Sequence, residues 1–233
     1  MQITISGIPV DVQKKKIKNM HLYVLPPDGR VLVTAPKRLT ATEIAAFVHS
    51  KLDWIHKQQD RIAGLPRPVP QRYETGETLF VWGKPYLLQV ETAKHNSLTL
   101  QGDRAVLSVR EKSTLIQREA FVKEWYREEL KAEIAKYLPK WEQATGLCCQ
   151  SWQTKAMKTR WGTCNPKTRK IWLSLSLAKK PVSCLEYVLL HELAHLKVQN
   201  HGPEFQAFLD CHMPGWRELK LELNKKAYDY SRG

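Results

Sequence analysis

The sequence predicts an α+β protein in which a strand-rich N-terminal half gives way to a helix-rich C-terminal part. Three observations predict it. Short alternating apolar runs, broken by turn residues, recur as far as residue 109. A long helical period follows from about residue 114. The run PVSCLEYVLLHELAHLKV (181–198) then gives the strongest helical pattern of all. These shifts divide the chain into residues 1–112, a strand-rich domain with one helix, and residues 113–233, a helix-rich domain.

Each element has a local cause. LYVLPPDGRVLVTAP reads as two strands joined at Pro27-Asp28-Gly29, a turn tripeptide. TATEIAAFVHSKLDWIHKQQDRI reads as one helix: Thr40 and Glu43 have capping-box spacing, and Ile44, Phe47, Val48, Leu52 and Ile55 make one apolar face. GLPRPVP (64–70) breaks it as a stiff, extended connector. Strands TLFVW and YLLQVE flank Gly83-Lys84-Pro85, and SLTL and AVLSV flank Gln101-Gly102-Asp103, which reads as two hairpins. A helix over about 114–138 carries Leu115, Phe121, Trp125, Leu130 and Ile134. A strand pair is expected at 151–158 and 170–176. In the strongest helix Ser183 and Glu186 offer a second capping box. Gly202-Pro203 restarts the chain with proline at a favourable first helical position, and EFQAFLDCH and WRELKLELNKKAY complete a helical C-terminus. No internal repeat is visible in the residue pattern.

Composition bounds function without naming it. No apolar run reaches the roughly 20 residues a membrane-spanning helix needs, and the N-terminus lacks the pattern of a secretory leader. The five cysteines show no C-x-x-C spacing, so they are expected to be reduced and mostly buried in a cytoplasmic protein. The net charge of +14 favours anionic partners, nucleotides, nucleic acid or acidic polypeptides among them. The charge is spread out, with KKKIK (14–18) its densest run, and no nucleic-acid-binding motif accompanies it.

The chemistry is concentrated in LLHELAHLKVQNHGPEF (189–205), which holds three of the eight histidines. Residues four apart on a helix lie on one face, so His191 and His195 present two imidazoles side by side, as two ligands of one zinc ion require. Glu192 is turned about 100° around the helix, near such a metal without displacing either ligand. This H-E-x-x-H spacing suits a glutamate acting as general base on a zinc-bound water. A catalytic zinc takes three protein ligands. His201 is the first candidate for the third, carried back by a turn if the helix ends near Val198 to Asn200; Glu204 and His212 are alternatives.

These residues also carry a resemblance. RWGTC (160–164), LSLAKKPVSCLEYVLLHELAHL and NHGPEF resemble the YgjP-like metallopeptidase family, a zincin-type group. The similarity extends to PDGRVLVTAPKRLTATEIAAFVHSKLDWI and GKPYLL. HGPEF is similar to the SprT-like metalloproteases as well. The resemblance implies a zincin-like α+β catalytic domain, a third histidine ligand matching His201, and a zinc-dependent metallohydrolase. Thr163 stands where such sequences often carry serine. Arg160, in MKTRWGTC, is the candidate for oxyanion stabilisation or substrate anchoring, whereas Trp161 and Cys164 read as packing residues. The leading expectation is a metallopeptidase acting on peptides or proteins. A metal-dependent nucleotide pyrophosphohydrolase and a DNA-associated protease-like factor are the alternatives.

Overall fold

In the computed structural model, residues 2–25, 28–64, 71–157 and 159–225 are described. Internal contacts divide the chain into two compact units, Met1–Val69 and Pro70–Arg232. The division falls before the expected 112/113 boundary because the second group of strands shares its apolar core with the helices that follow. Leu79, Leu88 and Leu107 from those strands join Val122, Leu130, Leu189 and Leu190 in one buried cluster.

The first unit opens with β1 (Gln2–Ile5) and β2 (Ile8–Lys15), a hairpin, then β3 (His21–Leu25) and β4 (Arg30–Pro36), a second hairpin. β2 and β4 pair in parallel, which gives the order β1-β2-β4-β3. Strand alternation buries Val10, Val12, Val31 and Val33. Two helices complete this unit's core, α1 (Ala41–His49) and α2 (Leu52–Ala63), where the pattern suggests one. The helix breaks because the Ser50 hydroxyl donates to the Phe47 carbonyl, 2.8 Å away, and competes with the backbone ladder. The Thr40 cap forms as expected: the Thr40 N–H donates to the Glu43 carboxylate and the Glu43 N–H to the Thr40 hydroxyl. Ile44, Val48 and Ile55 are buried. Pro27 of the expected turn and residues 65–70 of the connector lie outside the described residues.

The second unit repeats this plan. β5 (Thr78–Val81) and β6 (Lys84–Thr92) form one hairpin, β7 (Ser97–Gln101) and β8 (Arg104–Val109) another, and β6 and β8 pair in parallel. The order β5-β6-β8-β7 is that of the first sheet. Both first hairpins turn on two successive positive-φ residues, Ser6-Gly7 and Trp82-Gly83. Both sheets lead into a helix capped by threonine, Thr40 and Thr114. The chain therefore contains a repeat of topology that residue identities do not reveal.

α3 (Leu115–Thr145) runs past the expected end at 138 and through Pro139 to a left-handed Gly146. Val122, Tyr126, Leu130, Ile134, Leu138 and Trp141 form one buried stripe along it, and Leu138 and Trp141 carry the packing across the proline. Leu115, expected on that face, is exposed. A small sheet follows from β9 (Ser151–Lys155), β10 (Gly162–Asn165) and β11 (Lys170–Ser174), in the order β10-β11-β9. β9 and β11 are the expected pair and run parallel; β10 adds an antiparallel edge.

A 3-10 turn (Leu175–Lys179) leads into α4 (Val182–Ala194), then α5 (Pro203–His212) and α6 (Trp216–Asn224). Residues 226–228 of the expected last helix lie outside the described residues. The β5–β6 turn docks just before α4: the Trp82 and Gly83 N–H groups donate to the Ala178 and Lys179 carbonyls at 2.8 and 3.2 Å. A side chain at Gly83 would meet Pro181 Cγ at 2.7 Å, so this approach requires glycine. The expected Ser183–Glu186 box does not form; Pro181 is the N-cap. Glu186 instead accepts from Lys140 and from Trp141 Nε1, at 2.5 and 3.2 Å, which ties α4 to α3. No helix among the described residues is long and apolar enough to cross a membrane. The cysteines are free, but only Cys184 is buried, whereas Cys148 and Cys211 are exposed, contrary to the expectation of mostly buried thiols.

Candidate metal centre

α4 is buried almost all round, with Leu185, Val188, Leu189, Leu190, Leu193 and Ala194 in the core. Burying each leucine contributes roughly 1.5–3 kcal/mol, so the helix gives its polar side chains a rigid base. His191, Glu192 and His195 project from its last turn and just beyond. The helix ends earlier than expected, at Ala194, with His195 as its C-cap. The chain leaves through a tightened turn in which Leu196 and Lys197 donate to the Leu193 and Ala194 carbonyls. No residue from 194 to 200 takes positive φ, so the return needs no left-handed asparagine.

That return brings His201 to the pair. The three ring centroids make a nearly equilateral triangle, 5.0 Å for His191–His195, 4.9 Å for His191–His201 and 4.8 Å for His195–His201. One ligand nitrogen from each lies within 4.8 Å of the others. Glu204 is exposed and neither it nor His212 belongs to this group.

The residues fit a shared cation on several grounds. His201 Nε2 and His191 Nε2 face each other at 3.0 Å, close to the roughly 3.3 Å that two tetrahedral ligands at 2.0–2.1 Å would have. With the protons on the two Nδ1 atoms, both Nε2 lone pairs would point at a cation between the rings. His195 Nδ1 lies 3.1 Å from the Val198 carbonyl, and donation there frees Nε2 as a ligand. His191 Nδ1 is buried without a partner among the described residues; ligation through Nε2 would leave the ring's N–H at that nitrogen.

Electrostatics agree. Burial, then the neighbouring His195 and His201 and the charge of Lys220, depress the His191 pKa to about 3, so its imidazole is neutral. Burial also lowers that of His195. Glu192 is buried, which raises its carboxyl to about 8 against the opposing charge of Arg160. A cation among the histidines would favour its ionised form.

The site opens into a cavity of about 790 Å³, lined among others by Arg160, Cys164, Lys167, Lys220 and Asn224. Arg160 is exposed there and makes no ion pair among the described residues. Trp161 and Cys164 pack against the core, and burial, then the Glu192 charge, push the Cys164 thiol up to about 11. Sequence reasoning missed two residues. Phe205, 2% exposed, places its ring 4.9, 4.8 and 4.8 Å from those of His191, His195 and His201. β10 brings Gly162 against Glu192. The only sequence signals were the positions of these residues in NHGPEF and RWGTC.

A three-histidine cluster with a helix-borne carboxylate beside it, set on an α+β scaffold, is a site that could hold a metal ion. The family comparison gives the class: the chain belongs to the YgjP-like family, whose description "YgjP-like, metallopeptidase domain" matches residues 18–226. Membership implies a divalent metal and suggests peptide substrates. Among solved structures the chain is similar to the metallopeptidase zymogen abylysin of Pyrococcus abyssi. That match has 21% identity and a TM-score of 0.38, over 40% of this chain and 94% of the other. It is also similar to the zymogen jannalysin of Methanocaldococcus jannaschii, with 22% identity and a TM-score of 0.36, over 41% and 90%. The search of curated proteins returned no match.

Proposed function

We propose that the chain is a zinc-dependent metallopeptidase in which His191, His195 and His201 hold the metal and Glu192 is the general base. The observation that carries this reading is the convergence of three ring nitrogens within 4.8 Å beside a buried carboxylate of the same helix. An all-imidazole donor set suits zinc. Zinc, when bound there, would acidify the attacking water and polarise the scissile carbonyl. Glu192 accepts the proton from that water at a carboxylate oxygen and delivers it to the leaving amine. His195 is held in register by the Val198 carbonyl. Arg160, a cation at the cavity without an ion-pair partner among the described residues, anchors substrate or steadies the developing oxyanion. β10 supports a peptide substrate: it is an edge strand, and all four of its residues, Gly162, Thr163, Cys164 and Asn165, line the cavity. An extended chain can add there through main-chain hydrogen bonds. Five free thiols fit a reducing, cytoplasmic setting.

The test sets wild type beside Glu192→Gln, with metal analysis and with hydrolysis of casein-derived fluorogenic peptides and of nucleoside triphosphates. Wild type is expected to bind one equivalent of zinc and cleave peptides. The variant is expected to keep zinc and lose cleavage. A fully active variant would remove Glu192 from the mechanism, and turnover of triphosphates in place of peptides would overturn the substrate class.

A further inference from the structure

Gly162 opens β10, yet its φ is not in the left-handed region that demands glycine. It pairs with Leu173 of β11 in an ordinary antiparallel register, so an alanine would suit the strand conformation. The reason for glycine lies in space. A Cβ here would sit 2.6 Å from Glu192 Oε1, 2.8 Å from Cγ and 2.9 Å from Cδ. All three are closer than non-bonded atoms approach.

Neither side can yield easily. Glu192 is 4% exposed and stands on the most buried helix of the unit. On the other side, β10 is fixed at Trp161. Its carbonyl accepts from the Ser174 N–H at 2.8 Å, its indole N–H donates to Asn224 Oδ1 at 3.3 Å, and the Lys180 ammonium lies 5.4 Å over its ring. Lys180, itself 1% exposed, donates to the Lys225 carbonyl at 2.5 Å, which joins the end of α6 to the same anchor. The strand is thus held from β11 and from α6 while the carboxylate lies across its one bare Cα.

We infer that Gly162 is a positioning residue: the missing side chain lets the Glu192 carboxylate rest on the edge strand, at the wall of the cavity that both residues line. The inference rests on Glu192 being the general base. A methyl at 162 meets the Glu192 side chain before any imidazole, since its three nearest atoms all belong to Glu192. The expected consequence is a loss in kcat with metal retention and KM little altered, since about 1 Å of misplacement can lower turnover about 100-fold.

A double-mutant cycle tests it with Gly162→Ala, Glu192→Ala and the pair, beside Glu192→Gln. Each protein is compared for zinc content, for the thermal midpoint of the metal-free chain, and for kcat and KM on the casein-derived peptide. The Glu192→Ala substitution removes Cγ, Cδ and Oε1, the three atoms that the added methyl would meet. Gly162→Ala should therefore lower both kcat and the midpoint in the wild-type background but lower the midpoint far less in the Glu192→Ala background, at equal zinc content. Were the Gly162→Ala variant not to fold, folding of the double variant would be the same rescue, and its failure to fold would overturn the assignment. Equal midpoint losses in both backgrounds, or a lowered midpoint with kcat untouched in the wild-type background, would also overturn it. Activity surviving in Glu192→Gln would instead refute the general-base reading, a separate result.

Discussion

At the scale of single residues, the centre depends on ring packing as much as on ligand identity. Phe205 touches each of the three imidazoles at nearly equal distance. Aromatic rings resist displacement at such edge and tilted contacts, and residues that orient ligands commonly contribute about 10–100-fold to metal affinity. Phe205→Leu keeps an apolar side chain but loses the ring. We expect its zinc dissociation constant, measured by chelator competition, to rise about tenfold. At saturating zinc, kcat should stay near that of wild type. An unchanged dissociation constant would reduce Phe205 to core filler. At this same scale the His191–Glu192–His195 cluster was legible from spacing alone, because i and i+4 positions share a helical face. Gly162 was not: its role depends on a strand from elsewhere in the chain lying against Glu192, and such proximity leaves no periodic mark. His201 was legible as a candidate and no more, since its turn is made by a shortened helix end that the residues 196–200 do not announce.

At the scale of elements, local chemistry explains both the agreements and the departures. The hairpins β3–β4, β5–β6 and β7–β8 and the Thr40 cap were readable because turn residues and capping boxes act within four residues. α3 was read as ending before Pro139 because proline lacks the N–H that a helix interior uses. Tertiary packing of Leu138 and Trp141 outweighs that loss. The same helix carries a pH-sensitive tie. Tyr126 donates its hydroxyl to the Phe80 carbonyl of β5 at 2.6 Å. Burial, with Tyr73 beside it, raises its pKa well above the usual phenol value. Burial, then Glu119 and Glu77, push Tyr73 up to about 12. A phenol with a raised folded pKa contributes stability that is fully present below its unfolded value, about 10. That contribution is lost as pH rises through the folded value. The urea midpoint of the wild-type chain should therefore fall steeply above about pH 10. Tyr126→Phe should be less stable at neutral pH by about 1 kcal/mol, for the lost hydrogen bond, and should fall less steeply in alkali. Parallel alkaline curves would exclude Tyr126 as the titrating tie.

At the scale of the whole molecule, the repeated sheet plan gives each unit its own closed core. Val10, Val31, Val33, Ile44, Val48 and Ile55 satisfy one another in the first, without a residue of the second. The second gathers Leu79, Leu107, Leu130, Ile171, Leu189 and Phe205 into a separate cluster. The repeat escaped the sequence because its matching positions hold different apolar side chains, and its second hairpins differ in loop length. Only the pairing order and the turn conformations are shared. Hydrophobic patterning fixed which residues are buried; it could not say which strands from different hairpins would pair in parallel. The consequence is testable, because the three imidazoles, Glu192, Gly162 and Phe205 all belong to the second unit. A chain of residues 70–233 should unfold in a single cooperative transition and bind one equivalent of zinc with the affinity of the full chain, as measured by calorimetry. The clusters share no member, so the second core is complete without residues 1–69. A truncated chain that is molten, or that binds zinc far more weakly, would show that the metal centre draws its order from the first sheet and that the two cores are not independent.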